Sequence, residues 1–163
     1  MNTHFESIYK FNEYGNTPID DSYENIRQAI SLVQEEVKEA VEANRDDDGA
    51  GLLDAVADII VTAVGLSYRM GLSRQQLELA LSTVNEANLS KFSSTEEDAQ
   101  RSVEKYLDDP RYTDVKYEKV SEGVYRIVGK VVETGGYKIL KADTTIKPEW
   151  KLLDILEGTG KGI

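Results

Sequence analysis

The chain reads as a mainly α protein: a bundle of four to five helices followed by a small antiparallel β segment. Three observations predict this. Apolar residues recur at three- and four-residue spacing through Ile26–Ala43, Leu52–Leu66 and Leu77–Val84. Helix start and stop signals separate these runs. Beyond Pro110 the texture changes to Val, Ile and Tyr between turn signals. The expected organisation is a helical domain over residues 1–109 and a β-rich extension of it over residues 110–163.

The first stretch, Met1 to Asp21, is aromatic, with Phe5, Tyr9, Phe11 and Tyr14, and Gly15-Asn16-Thr17-Pro18 marks a turn. Its aromatics suit a short helix packed on the core or the wall of a pocket. Asp21 or Ser22 can cap the second helix, whose Ile26, Ile30, Val33, Val37 and Ala40 form an apolar stripe to about Ala43. Asp46-Asp47-Asp48 fails the spacing of a Ca²⁺-binding loop and reads as a solvated turn. The third helix, about Gly51 to Met70, contains the most apolar run of the chain, interrupted at Asp54, Asp58 and Thr62, which share a face. A buried helix with one acidic stripe is expected. Gly71 stops it.

Ser73-Arg74-Gln75-Gln76 is a capping box for a fourth helix, with Leu77, Leu81 and Val84 on one stripe that continues into Asn88 and Lys91. Either this end meets something polar or the helix emerges from the core. Thr95-Glu96-Glu97-Asp98 caps a fifth, with Ala99, Val103, Tyr106 and Leu107 on one face. Lys116–Lys141 holds two or three short strands, with turns at Glu122-Gly123 and Gly135-Gly136. The tail has a short amphipathic run, Leu152, Leu153, Ile155 and Leu156, and a frayed Gly-Thr-Gly-Lys-Gly ending that lacks the surroundings of a phosphate loop.

Composition narrows the chemistry. The 163 residues are 40% apolar, enough for a core, and carry a net charge of −11. No broad basic surface for nucleic acid is available. Cysteine is absent and His4 is the only histidine. That removes thiolate zinc sites, histidine clusters and Ser-His-Asp triads, and leaves oxygen ligands, which favour Mg²⁺, Mn²⁺ or Ca²⁺. Lack of cysteine fits a reducing compartment, and the N-terminus shows no signal pattern, so a cytoplasmic location is expected. Leu52–Leu66, with its two aspartates, reads as too short and too polar to span a membrane.

The acids form one constellation. At about 100° per residue, Glu36 and Glu39 border the apolar stripe about 60° apart, with Glu35 further out. Two antiparallel helices joined by a short loop would turn Glu35, Glu36 and Glu39 towards Asp54 and Asp58. Such a set repels itself. Either a divalent cation resolves the conflict or Lys38 and Arg45 neutralise part of it as a structural network. Metals held this way are completed by substrate phosphates, which suggests hydrolysis of a phosphate anhydride. Asn85, Asn88, Lys91 and Arg74 would then hold phosphate oxygens.

These residues carry a resemblance. Glu35-Glu36-Val-Lys-Glu39 resembles the E-E-x-x-E motif of the all-α nucleoside triphosphate pyrophosphohydrolases, a superfamily that includes MazG-like proteins. Asp58 stands where the second motif, E-x-x-D, has its Asp, and its acidic partner Asp54 lies one position earlier. The form D-x-x-x-D followed by two Ile is similar to the phosphoribosyl-ATP pyrophosphohydrolase-like branch. Phe11-Asn12-Glu13-Tyr14-Gly15 resembles that branch's F-H-x-x-F-G, with Asn for His and one residue fewer. Val84-Asn85-Glu86-Ala87-Asn88-Leu89-Ser90-Lys91-Phe92 resembles its V-x-x-S-N-M-S-K-F. Gly129-Lys130, Gly136–Lys141 and Pro148 resemble its C-terminal segment.

The resemblance implies a MazG-like helical bundle, assembled as a homodimer or homotetramer. It implies cleavage of a nucleoside triphosphate between the α- and β-phosphates, giving a monophosphate and pyrophosphate. Glu36, Glu39 and Asp58 would be the principal Mg²⁺ ligands, Glu35 would ligate or orient the attacking water, and Asp54 would ligate or support. Asn88 and Lys91 would contact phosphate or sugar, and Phe11, Asn12 and Tyr14 would lie near the nucleotide. Relatives of this shape also occur in phages, which makes a deoxynucleotide, plausibly a purine, the favoured substrate and host cytoplasm the setting. Phosphoribosyl-ATP or a pyrimidine deoxynucleotide is the alternative within the superfamily. A non-catalytic helical module that binds nucleotides or proteins is the alternative outside it. Neither nucleic acid nor membrane is an expected partner.

Overall fold

Local signals set the helices. Ser22 accepts the Asn25 N–H and starts α2 (Tyr23–Arg45). The Asp48 carboxylate accepts from Ala50 N and Gly51 N and starts α3 (Gly49–Arg69). Each satisfies donors that a helix N-terminus leaves unpaired. The capping box predicted before α4 (Arg74–Leu89) forms in full: Gln76 Oε1 accepts Ser73 N at 2.9 Å, and Ser73 Oγ accepts Gln76 N at 3.3 Å. Thr95 accepts Asp98 N at 3.1 Å and opens α5 (Glu96–Glu104).

The computed structural model describes residues 3–158. Within them α1 (Thr3–Tyr14) precedes the four helices above, and α6 (Glu149–Gly158) follows three strands, β1 (Tyr112–Ser121), β2 (Val124–Val131) and β3 (Tyr137–Leu140). The fold is mainly α, 58% helical, with a small C-terminal antiparallel sheet, the class the sequence predicts. The sixth helix is the short amphipathic run of the tail. The glycine-rich ending after Gly158 lies outside the described residues.

The chain forms two compact units: Met1–Leu79 with Ile155–Ile163, and Ala80–Asp154. In the first, α2 and α3 run antiparallel. Asp46–Asp48 links them at one end, and at the other Arg69 donates to Asn25 Oδ1 at 2.6 Å and to Gln28 Oε1 at 3.2 Å. α1 is tied to α3 through the Tyr9 hydroxyl, which lies 3.2 Å from Ser67 Oγ and donates to Leu72 O at 2.9 Å. Ile8 and Asn12 of α1 are buried, while Tyr14 is 82% exposed, so the N-terminal aromatics are only partly core.

Several faces differ from the expected ones. Only Ala55, Val64 and Ser67 of α3 are buried, and Leu53, Val56 and Ile60 are open to solvent. α3 is therefore not the buried helix that its composition predicts. It is also 21 residues long with a mean hydropathy of 1.7 over its most apolar window, enough by length and composition to cross a membrane, unlike the shorter Leu52–Leu66. α2 packs through Asn25, Ala29 and the neighbouring half-buried positions rather than through Ile30 and Val37, which are exposed. α4 buries Thr83 and Ala87 rather than the Leu81 and Val84 stripe. Each helix buries small residues, Ala29 on α2, Ala55 and Ser67 on α3, Thr83 and Ala87 on α4, while several larger apolar ones stay exposed.

The second unit has its own core. Ile127, Leu140 and Ala142 are buried, and Val103, Tyr106, Tyr112 and Val115 pack against them. The strands pair antiparallel in the order β1-β2-β3. Gly123 and Gly135 adopt positive φ, 67° and 69°, at the two predicted turns, a conformation that glycine adopts without strain. Ser93 exchanges both backbone hydrogen bonds with Tyr125 at 2.9 Å and fixes the loop before α5 onto β2.

Candidate active site

The acidic residues come from the one helix pair. Glu35, Glu36 and Glu39 lie on α2, Asp54 and Asp58 on α3. Glu36 and Asp58 are half-buried, whereas Glu35, Glu39 and Asp54 are exposed. Glu36 feels the other four charges. Loss of solvation and then the negative charges of Glu39, Asp58, Glu35 and Asp54 hold the Glu36 carboxyl above its ordinary value of 4.5. The cations on hand are used elsewhere: Lys38 pairs with Glu42 at 3.7 Å and Arg45 with Asp46 at 2.8 Å. Among the described residues none of the five carboxylates has an ion-pair partner. The structural ion-pair network through Lys38 and Arg45 is therefore not formed.

Nor do the acids form a closed cage. Among the described residues no three acidic or histidine side chains converge closely enough to enclose an ion. The arrangement is an open acidic face with an all-oxygen donor set, and such donors suit hard cations.

A cavity of about 150 Å³ abuts this face. Its lining includes Phe11 and Asn12 from α1, Leu32 from α2, and Thr62, Gly65 and Arg69 from α3. Leu32 is one helical turn from Glu36, and Thr62 one turn from Asp58, so cavity and carboxylates share the α2–α3 seam. The buried Asn12 donates to Ile8 O at 2.9 Å, which fixes its side chain against α3. The Thr62 hydroxyl donates to Asp58 O at 2.8 Å, holding the turn between carboxylate and cavity. Ligand pockets for whole small molecules usually exceed about 300 Å³. This one has the volume of a fragment of base or sugar size.

The structure thus brings together Phe11, Asn12 and the five acids in the first unit. Tyr14 is exposed and does not line the cavity. Asn85, Asn88 and Lys91 lie in the second unit, where Lys91 Nζ donates to Asn88 Oδ1 at 2.7 Å. Sequence reasoning missed Gly65 and Arg69 and left Thr62 without a role. Their signal was present: 58, 62, 65 and 69 continue the face that begins at Asp54.

A helix pair bearing this acidic face, inside a mainly α fold, is similar to the MazG-like nucleoside triphosphate pyrophosphohydrolase superfamily, whose members hydrolyse phosphate anhydrides. The family whose model matches is phosphoribosyl-ATP pyrophosphohydrolase, over residues 12–88, just under half of the chain. The matched segment holds α2, α3, all five carboxylates and nearly all of α4. No curated protein and no solved structure matches the chain. The chain is a nucleotide pyrophosphohydrolase in the general sense.

Proposed function

We propose that the chain is a Mg²⁺-dependent nucleoside triphosphate pyrophosphohydrolase, with Mn²⁺ as a substitute ion. It acts on a deoxynucleoside triphosphate and releases a nucleoside monophosphate and pyrophosphate. The observation that carries this reading is the set of five carboxylates without counter-cations, beside a cavity of base size. Glu36, Glu39 and Asp58 would hold the metal, and Asp54 would support them. Bound there, Mg²⁺ would supply charge neutralisation on the phosphate chain and an acidified water. Glu35 orients the attacking water and takes its proton. The water oxygen bonds to the α-phosphorus while the bond to the bridging oxygen breaks, and pyrophosphate leaves with that oxygen. Phe11 and Asn12 receive the base or sugar. Tyr14, Asn85, Asn88 and Lys91 are assigned to the substrate by resemblance alone.

A second substrate, phosphoribosyl-ATP, is supported equally by the family match. One experiment decides. The chain is incubated with each nucleoside triphosphate, each deoxynucleoside triphosphate and phosphoribosyl-ATP in the presence of Mg²⁺, and the products are separated. Monophosphate and pyrophosphate from a deoxynucleotide are expected. Turnover of phosphoribosyl-ATP alone would select the second reading, and no turnover with either metal would leave a binding module. Asp58→Asn and Glu39→Gln should each lower turnover by about a hundredfold or more, since metal charge contributes several kcal/mol. Wild-type rates in both would remove these residues from the site.

We also propose that the enzyme is a homodimer. Tyr23, Ile30, Val37 and Val41 of α2 are all exposed and, at 100° per residue, stand on one stripe about 27 Å long. Leu53, Val56 and Ile60 of α3 make a second exposed stripe. At 100° per residue each stripe lies on the side of its helix away from the α2–α3 seam. So extended an exposed apolar surface marks an interface.

A further inference from the structure

We propose that the second unit holds an anion site of its own, which takes a phosphate-bearing small molecule. The site is a cavity of about 370 Å³ whose lining includes Lys91, Lys138, Lys141, Arg111, Tyr106 and Tyr112. No acidic side chain lines it. Such a concentration of cations is out of character for a chain of net charge −11.

Four of the six lysines elsewhere in this unit show the contrast: Lys105, Lys116, Lys119 and Lys151 each pair with a carboxylate, Asp143, Glu118, Glu122 and Glu86, while Lys130 and Lys147 do not among the described residues. Lys91, Lys138 and Lys141 have no ion-pair partner among the described residues, and Lys91 Nζ donates to the neutral amide of Asn88. Arg111 is different. Its guanidinium grips both oxygens of Asp109 and lies over the Tyr112 ring, 5.3 Å from the centroid, so it serves as a wall with its charge balanced.

The cavity is built by the fold. The Tyr106 hydroxyl donates to Lys141 O at 3.0 Å, and Ala142 N donates to Lys91 O at 3.2 Å, so two of the three lysine backbones are fixed by long-range hydrogen bonds. The Tyr106 and Tyr112 rings meet edge to face at 5.7 Å. Lys138 is held on β3 opposite Gly129 in the β2–β3 ladder. Three lysines without a carboxylate partner among the described residues line one concavity, and a multiply charged phosphate would supply the missing counter-charge while accepting their hydrogen bonds. The volume is that of a small-molecule site. Inorganic pyrophosphate and a nucleoside diphosphate share the required chemistry, and the tyrosine walls offer the latter an apolar contact.

The site uses none of the five carboxylates, and its test leaves Lys91, which resemblance alone assigns to the substrate, unaltered. Binding of pyrophosphate and of a nucleoside diphosphate to the full chain is measured by calorimetry in EDTA, so that no metal–phosphate complex forms. Saturable 1:1 binding is expected, weakened about tenfold or more in Lys138→Ala/Lys141→Ala, as loss of charged hydrogen bonds requires. Asp58→Asn should bind as the wild type does. Tighter binding of the nucleoside diphosphate would identify it as the ligand; equal or tighter binding of pyrophosphate would identify the bare phosphate chain. Lys138→Ala alone, at an exposed strand position, gives an intermediate loss and guards against misfolding of the double variant. Absence of saturable binding, an unchanged affinity in the lysine variants, or loss of binding in Asp58→Asn would each overturn the proposal.

Discussion

At the scale of single residues, Glu36 shows what the acidic face costs the empty protein. Its carboxyl is displaced upwards by lost solvation and by four neighbouring negative charges. A raised folded-state pKa in an acid means that the neutral form is favoured. Its contribution to stability is complete below the unfolded value, near 4.5, and is lost as pH rises through the folded value. The metal-free chain therefore carries a penalty at neutral pH that Glu36→Gln removes. We expect the variant to melt above the wild type at about pH 7 without metal, and the difference to vanish near pH 4. Added Mg²⁺ should raise the wild-type midpoint and close the gap. Thermal unfolding at the two pH values checks this. A variant that melts lower at neutral pH would mean that Glu36 is stabilising where it stands. The same residue also shows what could be read in advance. Its approach to Asp58 followed from helical periodicity and a short connection, both local properties. The cavity beside it did not, because Phe11, Leu32 and Thr62 meet only when three helices pack.

At the scale of elements, the parts legible in the sequence are those closed by a few consecutive residues. Ser73 and Gln76 cap α4, Thr95 and Asp98 cap α5, and Gly123 and Gly135 turn the strands, each as the local pattern requires. Burial was less legible, because it depends on which faces meet when distant elements pack. Gly129 is a case in the sheet. Its sequence position offered no turn signal and its φ is ordinary, yet a Cβ there would lie 2.8 Å from Leu140 Cδ1 and 3.3 Å from Val115 Cγ2. Leu140 is 3% exposed and has little room to move. Gly129→Ala should destabilise the β-containing unit by about 1–3 kcal/mol through overpacking. The check is chemical denaturation followed by the fluorescence of the tyrosines in that unit. A neutral effect would mean that Leu140 repacks freely.

At the scale of the whole molecule, the apolar excess of α3 has to be reconciled with its exposure. The helix is apolar enough for a bilayer, but Asp54 and Asp58 sit on it and it packs against a charged α2. Burying two carboxylates in hydrocarbon costs several kcal/mol, whereas a second copy of the chain can cover Leu53, Val56 and Ile60 and leave the acids in water. Replacing Leu53 and Ile60 by Lys should therefore give a monomer in sedimentation equilibrium, with helical circular dichroism retained, because both side chains are exposed in the single chain. The wild type should sediment as a dimer and remain unbound in flotation with lipid vesicles. A wild-type monomer, or one that floats with vesicles, would assign the apolar face to a different partner. The net charge of −11 makes two copies repel, so added salt should screen repulsion between subunits and tighten the dimer rather than dissociate it.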